Sequence, residues 1–107
     1  MRKAEVYYEN RAAGVLAEDD EGYRFKYHEE YLNLPEARAV SLTLPLQEEE
    51  YFSMKLFPFF DGLIPEGWLL SIAERNWKLD SRDRMGLLLA CCKDCIGAVS
   101  VRPGNEQ

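Results

Sequence analysis

Residues 3–27 read KAEVYYENRAAGVLAEDDEGYRFKY, and their hydrophobic period is two. Ala4, Val6 and Tyr8 fall on one face of a first strand, with Lys3, Glu5 and Tyr7 on the other, the pattern of a half-buried strand. Glu9-Asn10-Arg11 is a polar break, and Asn10 suits a turn. A second short strand spans Ala13 to Ala17, where Gly14 marks a bulge or a close approach of another backbone. The acidic turn Glu18-Asp19-Asp20-Glu21-Gly22 leads to a third strand, in which Tyr23, Phe25 and Tyr27 alternate with Arg24 and Lys26. Three short strands with tight connections predict an antiparallel meander.

Outward from the meander the pattern changes. Residues 29–34 suit one helical turn, ended by Pro35. Val40, Leu42 and Leu44 alternate with Ser41 and Thr43, which predicts a further strand or extended segment closed by Pro45. Residues 47–50 read as a solvated acidic loop. From Phe52 the spacing becomes helical: Leu56, Phe59, Phe60 and Leu63 share one face. Because Pro58 is tolerated in a first turn, that helix begins near Leu56 or Phe57. Asp61-Gly62 and Ile64-Pro65-Glu66-Gly67 break it. A second helix is expected from about Glu66 to Trp77, with Leu69, Ile72 and Ala73 inward. A third is capped by Asp80 or Ser81 and buries Met85, Leu88, Leu89 and Cys92. Gly97 opens a last strand, with Val99 and Val101 alternating against Ala98 and Ser100, and residues 103–107 read as a polar tail. Strands, then helices, then a returning strand is an α+β order: a small antiparallel sheet, the last strand rejoining the first three, packed with about three short helices.

The chain has 107 residues, the size of one domain. At 47% apolar residues it has material for a core, which excludes disorder. With 19 acidic and 13 basic residues the net charge is −6; an acidic surface repels phosphate backbones, arguing against direct nucleic-acid binding and suiting a basic protein partner. Three cysteines, Cys91, Cys92 and Cys95, with no secretory leader read at the N-terminus, point to free thiols in a reducing, cytoplasmic setting. No run reaches the ~18 to 20 apolar residues of a membrane span.

Three segments, in order, resemble the N-terminal subdomain of HipA-family kinases: Ser41-Leu42-Thr43-Leu44-Pro45-Leu46, Phe59-Phe60-Asp61-Gly62-Leu63-Ile64-Pro65-Glu66, and Asp94-Cys95-Ile96-Gly97-Ala98-Val99. The opening strand followed by Gly14-Val15-Leu16 matches as well, so the resemblance spans almost the whole chain, residues 1–107 forming one such domain. The sequence ends shortly after Pro103-Gly104, before the kinase lobes of the family, so no catalytic, metal-binding or nucleotide-binding residue carries over. What remains is similar to HipS, the small separate subunit of split bacterial toxin–antitoxin systems, which accompanies a shortened kinase and a helix-turn-helix DNA-binding protein. The resemblance implies a direct HipA-like kinase partner, with the DNA-binding protein reached through the complex.

The residues themselves offer little reaction machinery. The one histidine, His28, sits beside Glu29 and Glu30 without a phosphate-cradling glycine pattern or a zinc-type partner, and reads as a surface residue at a strand end. The cysteines occupy one stretch, whereas zinc commonly takes ligand pairs from two places; Cys92 fits a helix stripe as a small hydrophobe. Neither a metal nor a cofactor is expected. Gly62 and Gly67 flank a stiff segment without the Lys and Ser or Thr of a phosphate loop.

Trp68 follows that segment at the start of a helix whose inward face Leu69, Ile72 and Ala73 already supply. It reads either as an interface anchor on a rigid support or as packing over the helix pair. The partner-binding candidates are therefore Phe59, Phe60, Leu63, Ile64, Pro65, Glu66, Gly67 and Trp68. The first four form or support the contact, and Trp68 enters or covers the kinase cleft. The resemblance thus implies a non-catalytic antitoxin that inhibits the kinase by docking near its active site. Two other readings stand beside it: a structural or activating module that completes the kinase or assembles it with the DNA-binding protein, and a small enzyme or metal protein built on the cysteine cluster.

Overall fold

The computed structural model of the chain describes residues 2–64, 83–91 and 98–103. Along the chain lie β1 (Arg2–Tyr8), β2 (Arg11–Glu18), β3 (Tyr23–Tyr27), α1 (Glu29–Leu32), β4 (Tyr51–Ser53), α2 (Pro58–Asp61), α3 (Arg84–Cys91) and β5 (Val99–Pro103). The strands form one five-stranded sheet in the order β4-β3-β2-β1-β5, antiparallel throughout. The α+β class and the meander are as the sequence pattern predicts, and the returning strand docks beside β1, Val6 opposite Val101.

Local chemistry explains the turns. Glu9 and Asn10, between β1 and β2, have φ of 50° and 71°, the left-handed backbone that matches a two-residue hairpin loop to the twist of its strands. The register of β2 slips between the pairs Val6–Gly14 and Tyr7–Ala12, so the bulge falls at Ala13, and Gly14 is the close approach: a Cβ there would stand 2.5 Å from the Lys26 carbonyl oxygen. The acidic turn is organised by Asp19, whose Oδ1 accepts from the backbone N–H of Glu21 (2.9 Å) and Gly22 (3.1 Å).

One face of the sheet carries the core. Val6, Leu16, Phe25, Phe60, Met85, Leu88 and Val101 are all completely buried. Phe25 is its hub, with ring centroids 4.9 Å from Tyr27, 5.5 Å from Phe60 and 6.5 Å from Tyr51. Lys3, Glu5, Val15, Ala17, Arg24 and Lys26 are half-buried or exposed on the opposite face.

Four details depart from the sequence pattern. Residues 40–44 are a turn and not a strand: the Leu44 N–H donates to the Ser41 carbonyl (3.0 Å) and the Thr43 N–H to Ser41 Oγ (3.2 Å). The hydroxyl of Tyr27 takes the Val40 N–H and the Leu44 carbonyl, the groups a strand ladder would have used. Val40 and Leu44 are buried while Leu42 is 100% exposed. The fourth member of the meander is instead Tyr51–Ser53, an edge strand too short to show a period. On and around α2, Leu56 and Phe60 are buried as expected, but Phe57 and Ile64 join them inward while Phe59 and Leu63 are only partly buried. Finally, α3 is capped by Asp83, whose Oδ1 accepts from the Gly86 N–H (3.1 Å), and Leu87 joins Met85 and Leu88 in the core. Asp83 takes the capping place expected of Asp80 or Ser81; the expected helix from Glu66 to Trp77, Asp80 and Ser81 themselves, Cys92, Cys95 and the tail beyond Pro103 lie outside the described residues.

Candidate partner-binding surface

The segment expected to meet a partner starts at α2. Pro58 stands in its first turn, where a missing N–H is harmless. Backbone bonds from Asp61 to Phe57 (2.9 Å) and Gly62 to Pro58 (2.9 Å) close the helix, and turns from Leu63 to Phe60 (3.0 Å) and Ile64 to Asp61 (3.2 Å) extend the coil to residue 64. Phe60 anchors it from below, touching Phe25, Phe57 and Phe59 with centroids 5.5, 6.2 and 5.2 Å away.

The candidates therefore divide into two kinds. Phe60, at 0% exposure, and Ile64, at 4%, belong to the core and hold the segment in place. Phe59 and Leu63 lean on the core but keep part of their surface outside. Pro65, Glu66, Gly67 and Trp68 lie outside the described residues.

Charged groups fasten this segment sideways, a feature the sequence hid because the partners are far apart in the chain. Arg84 Nε donates to Asp61 Oδ1 at 2.6 Å, joining α3 to α2. Arg2 binds the other end of the assembly: its guanidinium donates to both Asp83 oxygens (3.0 and 2.6 Å) and to Glu18 (2.7 Å). The Arg2 hydrogen bonds hold the Asp83 carboxyl below the usual carboxylate range, and those to Asp83 and Glu18 raise Arg2 further above its already high value. Asp83 thus serves at once as ion-pair acceptor and helix cap, tying the first strand to the helix that carries Arg84.

On the other face of the sheet a cavity of about 320 Å³ is lined by Lys3, Val15, Ala17, Arg24, Lys26, Tyr27, His28, Glu29 and Glu50. His28 Nε2 contacts the Glu5 carboxylate, and Arg24 is engaged by Asp19 (2.8 Å), Glu21 (2.7 Å) and Glu50 (3.2 Å). These walls contain no Ser, Thr or Cys to serve as nucleophile; Arg24 pairs with Glu50 across them and the Lys26 ammonium donates to the Glu48 carbonyl, contacts of a structural network. Among the described residues no three His, Cys, Asp or Glu side chains gather as metal ligands, and no helix is long and apolar enough to cross a membrane.

The family model described as HipA N-terminal domain matches residues 4–102. A solved structure, the N-terminal domain of HipA toxin, superposes with a TM-score of 0.78 at 28% identity, covering 100% of this chain and 96% of that one. An uncharacterized protein of Haemophilus influenzae is 31% identical over 106 residues, covering 99% of this chain and 96% of the relative. The putative kinase Y4mE of Sinorhizobium fredii is 25% identical over 108 residues; the match takes in 100% of this chain but only 26% of that kinase.

Proposed function

Since this chain belongs to the HipA N-terminal domain family, we propose that it is a non-catalytic component of a HipA-related toxin–antitoxin system that binds a HipA-like serine/threonine kinase and restrains it. The observation that carries the reading is the alignment with Y4mE: the whole of this chain corresponds to about a quarter of a protein named as a kinase. A domain that accompanies kinase polypeptide in one chain can dock against it as a separate one. The half-exposed Phe59 and Leu63, on a segment braced by Phe60, Ile64 and the Asp61–Arg84 pair, supply a preformed apolar contact of the kind that limits the ordering cost of association. Trp68, four residues past Ile64, is the residue offered to the kinase cleft. Blocking the nucleotide pocket or its mobile loops silences such an enzyme. Partnership with a helix-turn-helix DNA-binding protein, through the kinase, belongs to the same proposal, as does a cytoplasmic setting.

The test is kinase autophosphorylation at saturating concentrations of the wild-type chain and of Trp68→Ala. Inhibition lost with binding retained supports the cleft-blocking role, and equal inhibition by both removes it. A second reading, completion or activation of the kinase, draws on the same alignment with a longer chain, and stimulation in place of inhibition would establish it.

A further inference from the structure

Among the described residues Leu42 has no packing role. Its side chain is 100% exposed, yet the loop that carries it is fastened by several hydrogen bonds. Val40 and Leu44, the two feet of the turn, are buried, and the single buried hydroxyl of Tyr27 accepts from the Val40 N–H (3.0 Å) and donates to the Leu44 carbonyl. Two residues before Val40, the Tyr31 hydroxyl grips Arg38, accepting from its N–H (3.1 Å) and donating to its carbonyl (2.7 Å). The two tyrosine rings stack 6.1 Å apart, only 7° from parallel. The turn itself is closed by Ser41, and Tyr51 donates to the Pro45 carbonyl (2.6 Å) behind it.

The composition of the loop points the same way. In a chain that is 30% charged, residues 39–47 contain no charged side chain, and Leu46 adds a second exposed apolar surface. The run is bordered by exposed Arg38 on its N-terminal side and by exposed Glu48 and Glu49 on its C-terminal side. A charge-free apolar centre with a charged border is the anatomy of a protein–protein contact, and a backbone locked beforehand removes most of the ordering cost of binding. A single exposed leucine is ordinary on a protein surface; one at the tip of a turn fastened by two tyrosine hydroxyls, within a charge-free run, is not.

We infer that the turn Ser41–Leu44 is a second docking element, separate from the segment around α2, which inserts Leu42 into an apolar socket with a basic border on the kinase. The kinase as occupant rests on the proposed function. The basic border is placed opposite Glu48 and Glu49, which outnumber Arg38 across the two ends of the run, because like charges there would oppose docking.

The experiment measures the affinity of the full chain for the HipA-like kinase of the same genome, using wild type, Leu42→Asp, Leu42→Met and Glu48→Gln/Glu49→Gln. Leu42→Asp is expected to fold with unchanged thermal stability and to bind at least about tenfold more weakly, the loss of one well-seated anchor. Leu42→Met is expected to stay near wild type, and the double glutamine variant to associate more slowly with a weaker salt dependence. Wild-type binding with an undiminished Leu42→Asp overturns the socket and leaves the proposed function standing, as does a Leu42→Asp effect confined to self-association of the chain. Absence of any complex with the wild-type chain overturns both.

Discussion

Removing one oxygen atom, in Tyr27→Phe, tests how this fold holds the long irregular segment between α1 and β4. The hydroxyl joins the Val40 N–H and the Leu44 carbonyl, in residues 5% and 3% exposed, and Tyr27 itself is 1% exposed. Phenylalanine keeps the ring contacts with Phe25 and Tyr31 but leaves a buried donor and a buried acceptor unpaired. Each unpaired buried group costs about 1–3 kcal/mol. Partial access of water past the turn brings the expected sum to about 2–3 kcal/mol. For a domain near 100 residues about 1 kcal/mol moves Tm by some 4–8 °C, so a fall of about 10–20 °C is expected. Urea unfolding followed by circular dichroism supplies the free energy, with m unchanged, and hydrogen exchange at the Val40 amide reports the local event. Tyr31→Phe is the internal control: Arg38 is exposed, water can replace the lost hydroxyl, and the cost is expected at about 1 kcal/mol or less. A Tyr27→Phe variant within about 0.5 kcal/mol of wild type, or no more affected than Tyr31→Phe, would refute the reasoning.

Alkaline pH probes the same hydroxyl. Burial pushes the Tyr27 phenol up to about 12 from 10 in the unfolded chain, so its stabilisation is complete below pH 10 and is lost as pH rises from 10 through 12; denaturant titrations should show that loss in wild type and a smaller one in Tyr27→Phe. The Arg2 hydrogen bonds lower the Asp83 carboxyl below 3.8, so its contribution is present above that value and disappears as pH falls further. Asp83→Asn keeps an oxygen for the Gly86 cap, and because the pair is well exposed its loss should cost under about 1 kcal/mol, read as a shallower acid limb in pH-dependent unfolding. Gly14→Ala places a Cβ 2.5 Å from the Lys26 carbonyl in a central strand, and about 1–3 kcal/mol of destabilisation is expected by urea unfolding. Phe60→Ala empties the centre of the core and should cost about 3–5 kcal/mol, enough to show as a loss of cooperative unfolding at 37 °C.

The meander and the returning strand were legible because both carry the alternation that a one-sided sheet requires, in Ala4–Tyr8, Tyr23–Tyr27 and Val99–Val101. Residues 40–44 carry the same alternation and form no strand, because a tyrosine hydroxyl thirteen residues upstream takes the hydrogen bonds a ladder would need. Alternation reports which residues are buried: Val40 and Leu44 are, whereas Leu42 escapes by way of the turn. Tyr51–Ser53 was hidden by its length. At the candidate site the apolar segment and its inward Leu56 and Phe60 could be found from sequence, but the spacing also placed Phe59 and Leu63 inward and missed Phe57 and Ile64. Four residues of helix closed by Gly62 do not sustain the spacing that would have separated Phe60 and Ile64 from Phe59 and Leu63. Arg2, Asp83 and Arg84, which brace the site, are separated from their partners by 81 and 23 residues, and no local pattern announces them.

The most direct measurement of the central claim is titration calorimetry of the purified chain into a catalytically inactive HipA-like kinase from the same genome. A saturable one-to-one complex, with the negative heat capacity change that accompanies burial of apolar surface, is the predicted result. Two species that elute separately and exchange no heat at concentrations of tens of micromolar would contradict it.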